Sequence, residues 1–124
     1  MPKVFTSKSQ RTGEIGEHLA VRYLENKGFS IIERNYTKKW GEIDIVAKVR
    51  QVSYIIEVKT VTASSLYRAE ENMNHQKVER LKRTIQTYLL SHKDIVEWQF
   101  DLVTVVMDRE RGEAKIHILE NLIL

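Results

Sequence analysis

Between Thr12 and Gly28 the apolar side chains Ile15, Leu19, Ala20, Tyr23 and Leu24 return every three or four positions. That period predicts an amphipathic helix, with Gly28 placed to end it. At about 100° per residue the apolar stripe covers roughly half of the circumference. Glu17 falls at the edge of that stripe, beside Val21 and Leu24, while Glu14 points further out. The period then changes. Phe29 to Tyr36 holds the run FSII and predicts a strand, followed by a basic turn at Lys38-Lys39-Trp40-Gly41.

Two alternating segments come next. In Glu42 to Lys48, the residues Ile43, Ile45 and Ala47 fall on one face of a strand and Glu42, Asp44 and Val46 on the other. In Val52 to Lys59, Tyr54, Ile56 and Val58 share one face, and Ile55, Glu57 and Lys59 share the opposite one. If Arg50 and Gln51 form the turn of a hairpin, both apolar faces meet a single core, with Ile43 opposite Val58, Ile45 opposite Ile56 and Ala47 opposite Tyr54. The same register sets Asp44 opposite Glu57 and Glu42 opposite Lys59. Facing carboxylates repel. A hard cation resolves the conflict, because Mg²⁺ or Mn²⁺ is held by one or two carboxylates together with water and a substrate phosphate. Lys59 then stands where it could neutralise a phosphate or hold a nucleophilic water. The competing reading is a solvated outer face with Lys59 paired to its neighbours. Ile55 and Val46 on that face argue for partial cover, and on spacing alone the two readings stand level.

Residues 60–74 show no period and predict a loop. A second helix is expected over His75–Ser91, with Val78, Leu81, Ile85, Tyr88 and Leu89 inward, Gln76, Arg80 and Arg83 outward, and Lys77 at the border. Strands are expected at Trp98–Met107 and Ala114–Leu119, with a turn through Arg111-Gly112. The element order is α-β-β-β-α-β-β, an α/β fold with a central mixed sheet flanked by helices. Residues 1–11 read as a flexible basic arm and 12–124 as one domain.

Composition narrows the chemistry. The chain has 124 residues and no cysteine, which removes disulfides and thiolate metal sites and leaves oxygen or imidazole as metal donors. Its four histidines, His18, His75, His92 and His117, lack metal-ligand spacing. Twenty Lys and Arg against 17 Asp and Glu give a net charge of +3, and the pI near 9.2 leans toward anionic partners. Lys38, Lys39, Lys77, Arg80 and Arg83 are candidates for a phosphate backbone, with Arg68 beside them and Trp40 or Tyr67 for stacking on bases. Each alone is ordinary surface. Met1–Gln10 is polar and no segment has the length of a membrane span, so a cytoplasmic protein without membrane contacts is expected.

The ordered set Gly13-Glu14-Ile15-Gly16-Glu17, Ala20, Leu24, Arg34-Asn35-Tyr36, GEID at Gly41–Asp44, EVK at Glu57–Lys59, Lys77, Phe100-Asp101 and the tail ILEN resembles the YraN-like family of small bacterial proteins. GEID and EVK by themselves resemble the two halves of the PD-(D/E)XK nuclease motif, with Ile43 in place of its proline. The resemblance implies a restriction-endonuclease-like αβββαβ core and a lineage of Mg²⁺-dependent phosphodiesterases that includes archaeal Holliday-junction resolvases. It also implies roles by motif position: Glu17 the helical acidic residue, Asp44 and Glu57 the metal carboxylates, Lys59 the catalytic lysine. The expected function is metal-dependent cleavage of DNA, more than RNA, with branched or structured DNA as candidate substrates. A non-catalytic nucleic-acid-binding module of the same fold is the alternative. The apolar tail Leu119, Leu122, Ile123 and Leu124 suggests a third class, a subunit acting through protein contacts, or a homodimer seam.

Overall fold

Two helices enclose a five-stranded sheet in a computed structural model that describes residues 8–63 and 74–124, with the backbone alone for 8–10. The elements are α1 (Lys8–Asn26), β1 (Ser30–Lys38), β2 (Gly41–Val49), β3 (Val52–Thr62), α2 (His75–Ser91), β4 (Glu97–Asp108) and β5 (Glu113–Leu119). They follow the expected order, in an α/β fold consistent with a restriction-endonuclease-like core. The strands lie in chain order. Only β3 and β4 run parallel, because α2 carries the chain back across the sheet between them. Residues 64–73, which hold most of the expected loop with Tyr67 and Arg68, lie outside the described residues, as do residues 1–7 of the expected arm. Lys8–Arg11 are not part of an arm; they form the first turn of α1.

Each helix covers its own core. Ala20 and Leu24 of α1 pack on Ile45, Ala47, Ile56, Val103 and Val105. Leu81, Ile85 and Tyr88 of α2 pack on Ile43, Val46, Ile55 and Phe100. A fully buried side chain of this size contributes roughly 1.5–3 kcal/mol. Both sheet faces are therefore apolar at the centre, which explains the near-continuous run Ile43–Ala47. On α1 the inward face is rotated from the one that periodicity predicts. Ile15 is 48% exposed, while Gly16 and Glu17 are buried. The small residue is the reason: a Cβ on Gly16 would overlap Thr60 Oγ1 of β3 outright, so the helix backbone rests directly on the strand. In β1 the register slips between Ile31 and Glu33, leaving Ile32 as a bulge exposed to solvent.

Among the described residues no helix is long and apolar enough to cross a membrane. The C-terminal tail divides. Leu122 and Leu124 pack beside the α2 core and the Leu122 N–H donates to Phe100 O at 2.8 Å, whereas Leu119 and Ile123 are exposed. Asp101, buried in β4, holds that tail: its Oδ1 accepts from the Asn121 N–H and the Gln99 side-chain amide, each at 2.9 Å. That is a structural role.

Tyr88 links α2 to the sheet, edge-on to Tyr36 with centroids 4.9 Å apart and stacked on His92 at 3.9 Å. Burial first, then the negative charges of Glu33 and Asp94 and the neighbouring Tyr36, push its phenol up to about 12. An exposed tyrosine ionises near 10, so the unfolded chain releases this proton before the folded one does. Stability from this group is complete below pH 10 and is lost as pH rises through 12. Chemical denaturation at stepped pH should show stability falling across that window, and Tyr88→Phe should flatten the fall. An unchanged slope would remove Tyr88 as its source.

Candidate functional site

The β2–β3 hairpin has the register that its apolar faces require, running from Val49–Val52 to Ile45–Ile56. It stops one pair short of Asp44. On the other side β1 and β2 stay paired, with Arg34 opposite Ile45 and Tyr36 opposite Ile43. Asn35 and Asp44 sit between those pairs, and Asn35 is left-handed, with φ 56°. Across this point both strands change face. Ile45 packs under α1 but Ile43 packs under α2, and Tyr36 follows Ile43. Residues two apart in a regular strand share a face, so the expected grouping of Ile43 with Ile45 and Ala47 is overturned by the irregularity at Asn35 and Asp44.

Asp44 therefore does not pair with Glu57 across a regular ladder. Its carboxylate reaches sideways into the seam, where Oδ2 accepts from the Val58 N–H at 2.8 Å. The side chain takes the place of a ladder carbonyl, and the residue is 3% exposed. A buried carboxylate on a backbone N–H is held firmly. The two acidic residues remain close in the fold, since Val58 directly follows Glu57.

Glu57 is half-buried and its Oε1 lies 3.9 Å from Lys77 Nζ. Lys77 is placed by a cap: Asn74 precedes α2 in an extended conformation and its Oδ1 accepts from the Lys77 N–H at 2.9 Å. Lys59 is also half-buried. Burial lowers its pKa from the ordinary lysine value and the like charge of Lys77 lowers it further, against an opposing pull from Glu57. Glu17 is 5% exposed. It is next to Gly16, which touches Thr60, the residue after Lys59. Packing of α1 on β3 thus sets the level of Glu17 along the strand that carries Glu57 and Lys59.

A groove of about 590 Å³ opens at this end of the sheet, lined by Thr37, Lys38, Lys39, Trp40, Glu42 and Glu57 on the strand side and by Asn74, Gln76, Lys77 and Arg80 on α2. Gly41 lets the basic turn dock on the helix, because a Cβ there would come within 2.8 Å of Thr84 Oγ1 and 3.3 Å of the Arg80 carbonyl. Four of the five predicted basic residues, Lys38, Lys39, Lys77 and Arg80, share this groove. Arg83 does not line it; its guanidinium stacks on the Trp40 ring, 4.0 Å from the centroid. In the sequence Asn35 stands out only within the family-like set Arg34-Asn35-Tyr36, with no role, and Asn74 is not singled out. Asn74 is legible as an Asn immediately before a helical period, whereas periodicity gives no sign of the backbone conformation at Asn35.

A model of the uncharacterised protein family UPF0102, the YraN family, matches residues 16–105. The chain belongs to that family. The UPF0102 protein of Alkaliphilus oremlandii is 36% identical over 116 residues, which is 91% of this chain and 97% of its own length. The one from Campylobacter lari is 37% identical over 107 residues, 86% of this chain and 88% of its own. A third, from Persephonella marina, is 40% identical over 96 residues, 76% of this chain and 82% of its own. The span shared with UPF0102 encloses Glu17, Asp44, Glu57, Lys59 and all five basic candidates.

Proposed function

We propose that this UPF0102 protein is a divalent-metal-dependent endonuclease acting on DNA in the cytoplasm. The observation that carries the reading is the Asp44 carboxylate, buried and fastened to β3 between Glu57 and Lys59; of these three only Glu57 lines the groove, whose other charges are mainly basic. Burying a carboxylate is costly even beside one N–H donor, so buried charges of this kind cluster at functional sites. The donor set fits Mg²⁺, which commonly takes one or two carboxylates and keeps its remaining positions for water and phosphate. Asp44 and Glu57 would hold it, and when bound it would supply an activated water and charge neutralisation on the phosphate.

The chain's own residues do the rest. Lys38, Lys39 and Arg80 draw the phosphate backbone into the groove, aided by the positive end of the α2 dipole. Lys77 neutralises Glu57 until a phosphate approaches. Lys59 Nζ, its proton loosened by burial, orients the attacking water or gives a proton to the departing oxygen. Glu17 adds negative charge from the α1 side.

The test is incubation of duplex, single-stranded, flap and four-way-junction DNA, with structured RNA beside them, in Mg²⁺, in Mn²⁺ and in chelator. Cleavage of DNA with either metal and none in chelator is expected. Metal alone should also raise Tm, because a ligand at 100 times its Kd stabilises the folded state by about 2.7 kcal/mol. No cleavage of any substrate and no thermal shift at millimolar metal would sink the reading. The alternative, a binding module that keeps the fold, is favoured by one observation: among the described residues no three His, Asp or Glu side chains converge as metal donors. Under either reading nucleic-acid affinity falls steeply with salt, and Lys39→Ala or Arg80→Ala should each lower the log–log slope by about 1. Binding insensitive to salt would exclude the groove.

A further inference from the structure

We infer that Asn35, a residue outside the proposed carboxylate and lysine set, is the positioning residue that aims Asp44 into the site. The inference rests on the proposed metal-dependent reading for its consequence and on backbone geometry for its cause. A strand residue ordinarily has φ well below zero, and a side chain other than glycine or asparagine at φ 56° is disfavoured because its Cβ crowds the backbone. Asn35 holds that conformation inside β1, across from Asp44. There the pleat loses its phase in both strands together: Arg34 and Ile45 form the last pair of one phase, Tyr36 and Ile43 the first of the other. The β2–β3 ladder ends at the same level, at Ile45–Ile56. With the ladder ended, the Val58 N–H needs another acceptor, and Asp44 Oδ2 supplies it.

Regular pleating at this point would turn Asp44 onto a sheet face and return Val58 to an ordinary ladder bond. The left-handed residue prevents this, so the carboxylate is held in the sheet plane. The position has a second mark: Asn35 Oδ1 is buried and, among the described residues, has no hydrogen-bond partner. An unsatisfied buried oxygen beside an irregular strand shows that this oxygen contributes no bond to the fold, which leaves the backbone conformation as the distinctive contribution of the position.

The test compares Asn35→Gly, which adopts positive φ freely, with Asn35→Val, whose branched Cβ opposes it. The ¹H–¹⁵N shift and exchange rate of the Val58 amide report the Asp44 bond without metal or DNA, so they judge the inference even if the nuclease reading fails. Titration with Mg²⁺ alone and kcat on DNA report the consequence. Asn35→Gly should keep the Val58 signal, Mg²⁺ affinity and kcat near those of the wild type. Asn35→Val should shift the amide, speed its exchange and lower Mg²⁺ affinity or kcat by about 10–100-fold with KM little changed, the range seen for residues that orient ligands. If Asn35→Val does not fold, Asn35→Ala carries the same comparison with less strain. An unperturbed Val58 amide in the Val or Ala variant would overturn the inference, as would equal loss in Asn35→Gly.

Discussion

Asp44→Ala should abolish cleavage and metal binding together, whereas Lys59→Ala should lower cleavage by about 10²–10⁴-fold and leave the metal bound. The contrast follows from what each side chain touches. Asp44 is both a proposed ligand and the acceptor for the Val58 N–H. Its removal leaves a buried donor unsatisfied, at a cost of about 1–3 kcal/mol to stability in addition to the lost ligand. Asp44→Asn separates these effects, because the amide oxygen can still accept from Val58 while the ligating charge is gone. It should fold like the wild type and bind Mg²⁺ weakly. Among the described residues Lys59 interacts with the side chains of Lys77 and Glu57 and with no backbone carbonyl, so Lys59→Ala should melt near the wild-type temperature. The readouts are single-turnover cleavage, calorimetric Mg²⁺ titration and Tm. Cleavage undiminished by both substitutions would trace to another nuclease in the preparation. Equal loss of metal in Lys59→Ala would mean that the lysine builds the site instead of acting in it.

Much of this arrangement is legible in the sequence. The bounds of α2 and the pairing of β2 with β3 follow from period alone, because a slip of one residue would turn every apolar side chain of the strand the wrong way. Glu57 and Lys59 fall on the predicted face for the same reason. Two things escaped. Ile43 and Asp44 leave their predicted faces because alternation assumes an unbroken pleat, and the break is set by Asn35 in a neighbouring strand, nine residues away. Ile15 turns outward because apolar periodicity counts side chains and ignores the contact a missing one permits. Gly16 holds no hydrophobicity, yet it decides which way α1 faces.

The largest stability effect should come from Gly16. In Gly16→Ala the new Cβ collides with Thr60 Oγ1 and comes within 2.8 Å of both Thr60 Cβ and Thr60 Cγ2, inside the distances real side chains keep. Thr60 cannot retreat far, since it is paired with Val105 in the middle of the sheet. The helix must lift, which loosens Ala20 and Leu24 from Ile45, Ile56 and Val105. Overpacking of this kind costs about 1–3 kcal/mol, and a backbone that must move places this case at the upper end or above it. Thr60→Ala removes Oγ1 and Cγ2 but keeps the Cβ, so the double variant should recover part of the loss. That is a coupling of the size found for residues in direct contact, about 0.5–3 kcal/mol. Denaturant melts of the four proteins in the cycle measure it. The same lift displaces Glu17 from β3, so Gly16→Ala should also weaken Mg²⁺-dependent cleavage under conditions where the variant is fully folded. Additive effects of the two substitutions would show that α1 does not rest on Thr60, and with that the path from α1 packing to the position of Glu17 would fail.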